Sequence, residues 1–271
     1  TTSTLLCMQG VSILLNMFGG VIANAAHGIA NQLAGQLMVF SNNMLKALNP
    51  VLVKSRGAGE TEKMIEAAAT GNKLSFIIYT FFAIPFIVEC PFILSVWLKN
   101  VPEYAILFVR LVLIRQMVSQ LMVTLETCIN ATGQIRNFTI TTIFIWLAPL
   151  FIGYVMYKMG APIATIYWLL IATAVVRIFN AVYYCNVLCG LKIWSYIRYT
   201  LWPCILLSSM LFTLLLFIVS FQSPSWQRLI ISALITIICY PIIAYYCGFD
   251  NKEKILIDNM VIKFRNKIFK R

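Results

Sequence analysis

Charged residues are scarce in this 271-residue chain, and acidic residues are the scarcest of them. Only 11% of the residues are charged, with 9 Asp and Glu against 21 Lys and Arg, and there is a single histidine. Soluble domains carry about 25% charged residues, so this chain has too little polar surface to cover a water-exposed globule. The composition excludes an ordinary soluble enzyme and a disordered segment.

Catalytic and metal-binding motifs are missing as well. The sequence contains no HExxH motif, no phosphate-binding glycine loop and no nucleophile elbow. Its eight cysteines form no CxxC pair and lie mostly in or beside apolar runs, so we interpret them as small buried hydrophobic residues. We therefore expect no enzymatic activity, no cofactor and no bound metal.

Long apolar stretches are what the sequence has instead. Hydrophobic residues make up 61% of the chain, and the mean hydropathy is +0.85. A helix needs about 20 apolar residues to cross a bilayer, and we predict about eight such spans: 3–19, 28–53, 73–89, 103–131, 137–158, 162–188, 196–220 and 226–248. The fold class expected is an all-α, polytopic membrane bundle in contact with phospholipid, with a short surface helix within 57–72 and an interfacial segment at 91–98.

The distribution of basic residues predicts the orientation. A net charge of +12 beside such apolar runs points to the anionic inner leaflet rather than to nucleic acid, which we do not expect as a partner. The positive-inside rule places the C-terminal tail in the cytoplasm together with the connection that holds Lys54, Arg56, Lys63 and Lys73. The opposite side would hold only Lys99, Lys158 and Arg228. We predict the tail, 249–271, as a basic amphipathic segment in the headgroup layer.

Polar residues follow one face of the second predicted span. At 100° per residue, one face collects Asn31, Gly35, Asn42, Lys46 and Asn49, widened by Gln32, Gln36 and Asn43. A smaller polar face on the first span holds Gln9 and Asn16. Because polar groups inside a membrane need partners or water, two neighbouring polar faces predict a hydrated cavity between the halves of a bundle. The alternative is that these amides only join helices by hydrogen bonds.

Three charged residues inside later spans complete the predicted cavity. Arg115 and Glu126 lie eleven residues apart in 103–131, about 16 Å along one helix face, so they cannot pair with each other. Arg177, in the sixth span, is the third candidate, with the membrane interface as its alternative position. By contrast, we predict Glu89 as an interfacial residue and His27 as a solvated residue of an outer turn.

Several blocks of sequence resemble one family of transporters. They are Asn24-Ala-Ala-His-Gly-Ile-Ala-Asn-Gln32, Lys46-Ala-Leu-Asn-Pro50, Lys54-Ser55, Gly57-Ala-Gly-Glu60, Trp97-Leu-Lys-Asn-Val-Pro-Glu-Tyr104, Phe108-Val-Arg-Leu-Val-Leu-Ile114 and Ala131-Thr-Gly-Gln-Ile135. They resemble the polysaccharide-flippase branch, the O-antigen and teichoic-acid exporters, of the multidrug/oligosaccharidyl-lipid/polysaccharide exporter superfamily. Residues 136–271 match only as alternating spans.

The resemblance implies a particular architecture and task. Such exporters have about fourteen helices in two lobes, so 1–189 would be the C-terminal lobe, 190–248 an additional hairpin, and an N-terminal lobe of roughly six spans would lie upstream. The implied partner is an undecaprenyl-diphosphate-linked oligosaccharide, flipped to the periplasmic leaflet of the bacterial inner membrane by alternating access for O-antigen or capsule biosynthesis.

The resemblance also implies roles for particular residues. Lys46 and Arg115 would attract the diphosphate, the amides would bind sugar hydroxyls, and the last two spans would offer the lipid tail a groove. An ion-coupled multidrug or metabolite exporter of the same superfamily is the alternative. A membrane polymerase or ligase is disfavoured because the predicted outer loops are short, and a purely structural subunit would not need so many buried polar groups.

Overall fold

The chain is built from helices of bilayer length joined by short connections. The computed structural model describes residues 2–250, 253 and 254, and that part of the chain contains no strand. Its helices are α1 (Thr2–Gly57), α2 (Thr61–Trp97), α3 (Ala105–Gln120), α4 (Val123–Ala131), α5 (Arg136–Lys158), α6 (Thr165–Cys189), α7 (Ile193–Tyr196), α8 (Trp202–Ser220) and α9 (Trp226–Ile243). Turns of π-helix follow α7 at Ile197–Leu201 and α9 at Ala244–Gly248.

Six helical stretches in the described residues are long and apolar enough to cross a membrane, or seven if the bent pair α3 and α4 forms one span. Large apolar side chains point outwards from them, as at Phe144 and Phe151 of α5 and Phe179 of α6. Several charged side chains are buried instead, among them Lys73 and Glu89. This inverted distribution is compatible with a multi-pass membrane protein whose solvent is lipid.

The chain reverses direction at Gly20, which divides α1 into a first arm (2–19) and a second arm (21–57). Gly20 has φ 67° and ψ −167°, a conformation that glycine adopts without steric cost. The Ser12 hydroxyl donates to Asn24 Oδ1 at 2.8 Å, although twelve residues of continuous helix would separate them by about 18 Å. The prediction of an outer turn reaching His27 was therefore wrong, because the turn is confined to Gly20 and the second arm begins directly after it.

Helix α2 is longer than predicted at both ends. The expected loop and surface helix at 57–72 is a connection of three residues followed by the first turns of α2, where Met64, Ala68 and Gly71 are buried at helical spacing. The expected interfacial segment at 91–98 belongs to the same helix, which continues through Pro85 and Pro91 to Trp97. Neighbouring helices can satisfy the backbone groups that a proline frees in such a bundle.

The single span predicted at 103–131 is broken. Helices α3 and α4 meet at Leu121 and Met122 with a bend of 42°. The later spans lie close to their predicted positions in α5, α6, Ile193–Ser220 and Trp226–Gly248. Of the predicted amphipathic tail, only 249, 250, 253 and 254 lie within the described residues.

Helix α2 contacts helices on both sides of the bundle. One core cluster joins both arms of α1 with α2, α3, α5 and α6. A second, separate cluster packs α8 and α9 against α2 through Ile84, Val88, Leu211, Leu215 and Tyr240. Most contacts of this hairpin are therefore with α2, and Cys204 at the start of α8 also joins a third cluster with residues of α4 and α6.

Candidate functional site

Four polar residues of the second arm line a recess of about 310 Å³. They are Asn42, Asn43, Lys46 and Asn49, and all four are exposed. Their spacing places them on one helix face, as 100° per residue requires. The recess is completed by apolar and hydroxyl side chains, namely Val39, Leu45, Val123 and Thr127.

The opposite wall of the recess comes from α4. This helix contacts both the second arm and α2, and the bend at Leu121 and Met122 sets its direction. The Thr127 hydroxyl donates to the carbonyl of Val123 in its own helix at 3.2 Å, which leaves its acceptor lone pairs available. The wall is thus mildly polar and faces the amides across the recess.

The lining of the recess is cationic and contains no carboxylate. The nearest acidic residue in sequence, Glu126, is paired with Arg177 of α6 at 2.5 Å. The Arg177 guanidinium also lies over the ring of Trp146, 4.5 Å from its centroid, a favourable cation–π position. Lys46 therefore gives the recess a positive charge, and the amides supply both donors and acceptors.

The predicted cavity residues do not all meet in the recess. Gln9 and Asn16 of the first arm and Gln32 of the second arm are exposed elsewhere. Asn31 is half-buried and its amide contacts His27. Arg177 and Glu126 form a pair beside the recess without lining it.

Arg115 is buried in the interior of the bundle, away from the recess. It is 7% exposed, and Cys7, Tyr79, Tyr167, Arg177 and His27 lie within electrostatic range of it. Its Nε finds no hydrogen-bond partner among the described residues. Arg115 and Glu126 do not pair, as their spacing predicts, but the bend between α3 and α4 breaks the common straight face on which the sequence analysis placed them.

The burial of three polar residues was not predicted from the sequence. Glu89, expected at the interface, is fully buried and accepts from Arg228 and Ser232 of α9. Lys73, expected in a loop, is 1% exposed and pairs with Glu253 at 2.6 Å. His27, expected in solvent, is 7% exposed and contacts Tyr167. The only sequence signal for Glu89 was its position inside an apolar run.

No protein-family model, no curated protein and no solved structure matches this chain.

Proposed function

We propose that this chain forms the C-terminal lobe and additional hairpin of a two-lobed exporter in the bacterial inner membrane. The proposed substrate is an undecaprenyl-diphosphate-linked oligosaccharide, flipped to the periplasmic leaflet by alternating access for O-antigen or capsule biosynthesis. The observation that carries the proposal is the exposed recess lined by three asparagines and Lys46. Counting the two arms of α1 separately would give the eight spans that such a lobe and hairpin need.

The chemistry of the recess suits a sugar-bearing anion. Asparagine side chains donate and accept hydrogen bonds at once, which matches the hydroxyl groups of an oligosaccharide. The Lys46 ammonium supplies a positive charge for a diphosphate. Polar side chains exposed at membrane depth are costly unless they meet water or a ligand. In this proposal the polar face therefore contacts water and the substrate between the two lobes.

A cationic drug fits the recess less well. The lining includes Lys46 and no acidic residue, so an organic cation would meet repulsion rather than a counter-charge. The nearby Glu126 is neutralised by Arg177. The alternative of a multidrug exporter would gain support if the protein exported organic cations and left surface polysaccharide unchanged.

A second concavity supports the lipid part of the proposal. An almost wholly apolar groove of about 420 Å³ lies between α2 and the end of α9, lined by Leu74, Ile77, Ile78, Phe81, Tyr240, Pro241, Ala244, Tyr245 and Phe249. Such a surface can contact an isoprenoid chain without a desolvation cost, because both surfaces are apolar. In this proposal the groove holds the lipid tail while the recess holds the headgroup.

Replacement of Lys46 tests the proposal. In the full-length protein, expressed in cells that lack their own exporter, Lys46→Ala should reduce surface polysaccharide on the order of 10-fold or more. This follows because a charge-assisted hydrogen bond contributes about 1.5–3 kcal/mol and 1.4 kcal/mol corresponds to about tenfold. Lys46→Arg should retain export, since guanidinium also binds phosphate.

Lys63→Ala is the matched control. Lys63 is an exposed lysine that pairs with Glu60 on the surface, outside the recess. Its removal should leave export unchanged. Equal membrane levels of the variants, measured by immunoblot, separate a lost function from lost insertion. Full export by Lys46→Ala would refute the assignment of the recess.

A further inference from the structure

The single histidine of the chain occupies a buried polar cluster near the reversal at Gly20. His27 lies in the second arm, two turns after Gly20, and is 7% exposed. Its Nδ1 is 2.7 Å from the hydroxyl of Tyr167 in α6. Its Nε2 is 2.9 Å from Nδ2 of Asn31, one helical turn further along the arm. Both ring nitrogens are therefore engaged.

The contacts leave two tautomers open to a neutral ring. Asn31 Nδ2 lies 2.9 Å from Nε2 and 3.3 Å from Nδ1, and the Tyr167 hydroxyl can either donate to Nδ1 or accept from it. A ring protonated at both nitrogens only donates, so it would face the Asn31 NH2 group without an acceptor unless Asn31 turns its amide to present Oδ1.

The surroundings of the ring oppose a second positive charge. The guanidinium of Arg115 in α3 lies within electrostatic range of His27 and repels a second positive charge there. Tyr167 is held by Phe108 of α3, whose ring centroid lies 4.3 Å away. The carboxylates that have buried cationic partners are engaged elsewhere, as Glu89 is with Arg228, Glu126 with Arg177 and Glu253 with Lys73.

The positive charge of a protonated His27 is therefore disfavoured in this conformation. A group whose charge is disfavoured in one conformation and hydrated in another shifts the equilibrium between the two when it binds a proton. The element that would move is the second arm, because His27 and Asn31 both belong to it and Gly20 permits the change of direction.

We propose that His27 is a proton-binding site that couples protonation to the position of the second arm, and hence to its polar face. The proposal rests on the proposed function and names the proton as the coupling ion of that transporter. The contact between Nε2 and the amide of Asn31 links the ring to the polar face. Asn31 lies at the start of that face, which continues to Asn42 and Lys46.

The first measurement is the charge of the ring itself. Because the chain holds one histidine, 15N-histidine labelling in bilayers, with a histidine-free affinity tag, reports His27 alone. We expect a neutral ring at about pH 8 and a ring protonated at both nitrogens at about pH 5, within the range where histidine changes charge. A neutral ring at both values would overturn the proposal.

The second measurement is the response of the arm. Gln36 is an exposed residue of the polar face, and Gln36→Cys can be labelled with a membrane-impermeant maleimide once Cys239 and Cys247 are replaced, since the other six cysteines are buried. Gln134→Cys, in the exposed connection between α4 and α5, corrects for the pH dependence of the thiol. The corrected labelling rate should change at least about 5-fold between the two pH values, the lower end of usual coupling strengths.

His27→Gln removes proton binding but keeps a donor and an acceptor in place. It should abolish the pH dependence at Gln36→Cys, and retention of that dependence would overturn the proposal. Neither measurement requires a substrate, so Lys46→Ala should lose export yet keep the pH response. If Lys46→Ala retains export while His27 still titrates and moves the arm, the proposed function fails and the proton site stands.

Discussion

Two long helices of this protein carry comparable numbers of polar residues and treat them in opposite ways. The buried polar residues of α2 are Asn72, Lys73, Ser75, Thr80 and Glu89, and each has a hydrogen-bond partner on another element. The polar residues that line the recess in the second arm are exposed, and none of them hydrogen-bonds to another described residue. Helix α2 uses these polar groups to hold the bundle together, whereas the second arm, which buries His27 and Ser41, presents its recess residues outwards.

The difference distinguishes polar residues that stabilise the fold from polar residues that have no partner within the described part of the chain. A buried polar group stabilises the fold only when its partner is present, because it is costly to leave unsatisfied. An exposed polar group without a partner inside the chain contributes little to stability and is open to contact with water or a ligand. The comparison therefore predicts that substitutions in the two helices have different consequences.

The largest effect on stability is expected at Glu89. Its carboxylate accepts from Arg228 Nη2 at 2.6 Å, from Arg228 Nε at 3.1 Å and from the Ser232 hydroxyl at 2.9 Å. Glu89→Gln leaves Arg228 as a buried cation without its counter-charge, which costs about 3–5 kcal/mol. Unfolding in detergent micelles, followed by circular dichroism, measures the loss.

The double variant Glu89→Gln, Arg228→Met is the control for that prediction. It removes both charges, and replacing a whole buried pair by an uncharged one is often nearly neutral. Much of the stability lost in Glu89→Gln should therefore return. If Glu89→Gln alone is as stable as the wild type, α2 does not depend on its buried pair and the comparison of the two helices fails.

A smaller effect on stability is expected from replacing an asparagine, and it can be compared directly between α2 and the second arm. Asn72 of α2 is fully buried, donates to the Tyr196 hydroxyl at 2.9 Å and accepts from the Thr124 amide at 2.9 Å. Asn72→Ala should cost about 1–3 kcal/mol, since it leaves a buried amide without its acceptor. Asn43→Ala, in the recess, should change the free energy of unfolding by no more than about 0.5 kcal/mol.

In an export assay the order of the two variants should be reversed, with the larger loss of export per folded protein in Asn43→Ala. Asn43→Ala should weaken export at normal protein levels, whereas any loss in Asn72→Ala should follow the amount of folded protein in the membrane. Equal destabilisation by the two substitutions would show that the second arm is as structural as α2.

The sequence predicts the long apolar helices better than it predicts their ends. Apolar runs placed α5, α6, α8 and α9 within a few residues, because length and hydropathy are local properties. The start of α2 was predicted as a separate surface helix because of its charged residues Glu62, Lys63 and Glu66, although Met64 and Ala68 are buried at helical spacing in the same long helix. The turn between the first two spans was predicted too long, from 20 to 27, whereas the backbone leaves the helical conformation at Gly20 alone.

The partners of the buried polar residues could not be predicted from the sequence, because they lie on other helices. Periodicity along one helix identified the face of Asn42, Asn43, Lys46 and Asn49, since those residues are neighbours on one element. Glu89 and Arg228 are 139 residues apart, and no spacing rule connects positions on different helices. His27 was misassigned for the same reason, because its partner Tyr167 lies on α6.

The smallest effect is expected at the ion pair between Glu126 and Arg177, which lies between the two kinds of polar site. Its side chains are 28% and 12% exposed, so the pair is less desolvated than Glu89 and Arg228, and we expect it to contribute no more than about 1 kcal/mol. Glu126→Gln should therefore lower the midpoint of thermal unfolding far less than Glu89→Gln does, in the same micelles. A loss as large as that of Glu89→Gln would place this pair with the structural groups of α2. A negligible loss of stability accompanied by altered export would place it with the recess, whose wall residue Thr127 directly follows Glu126 in α4.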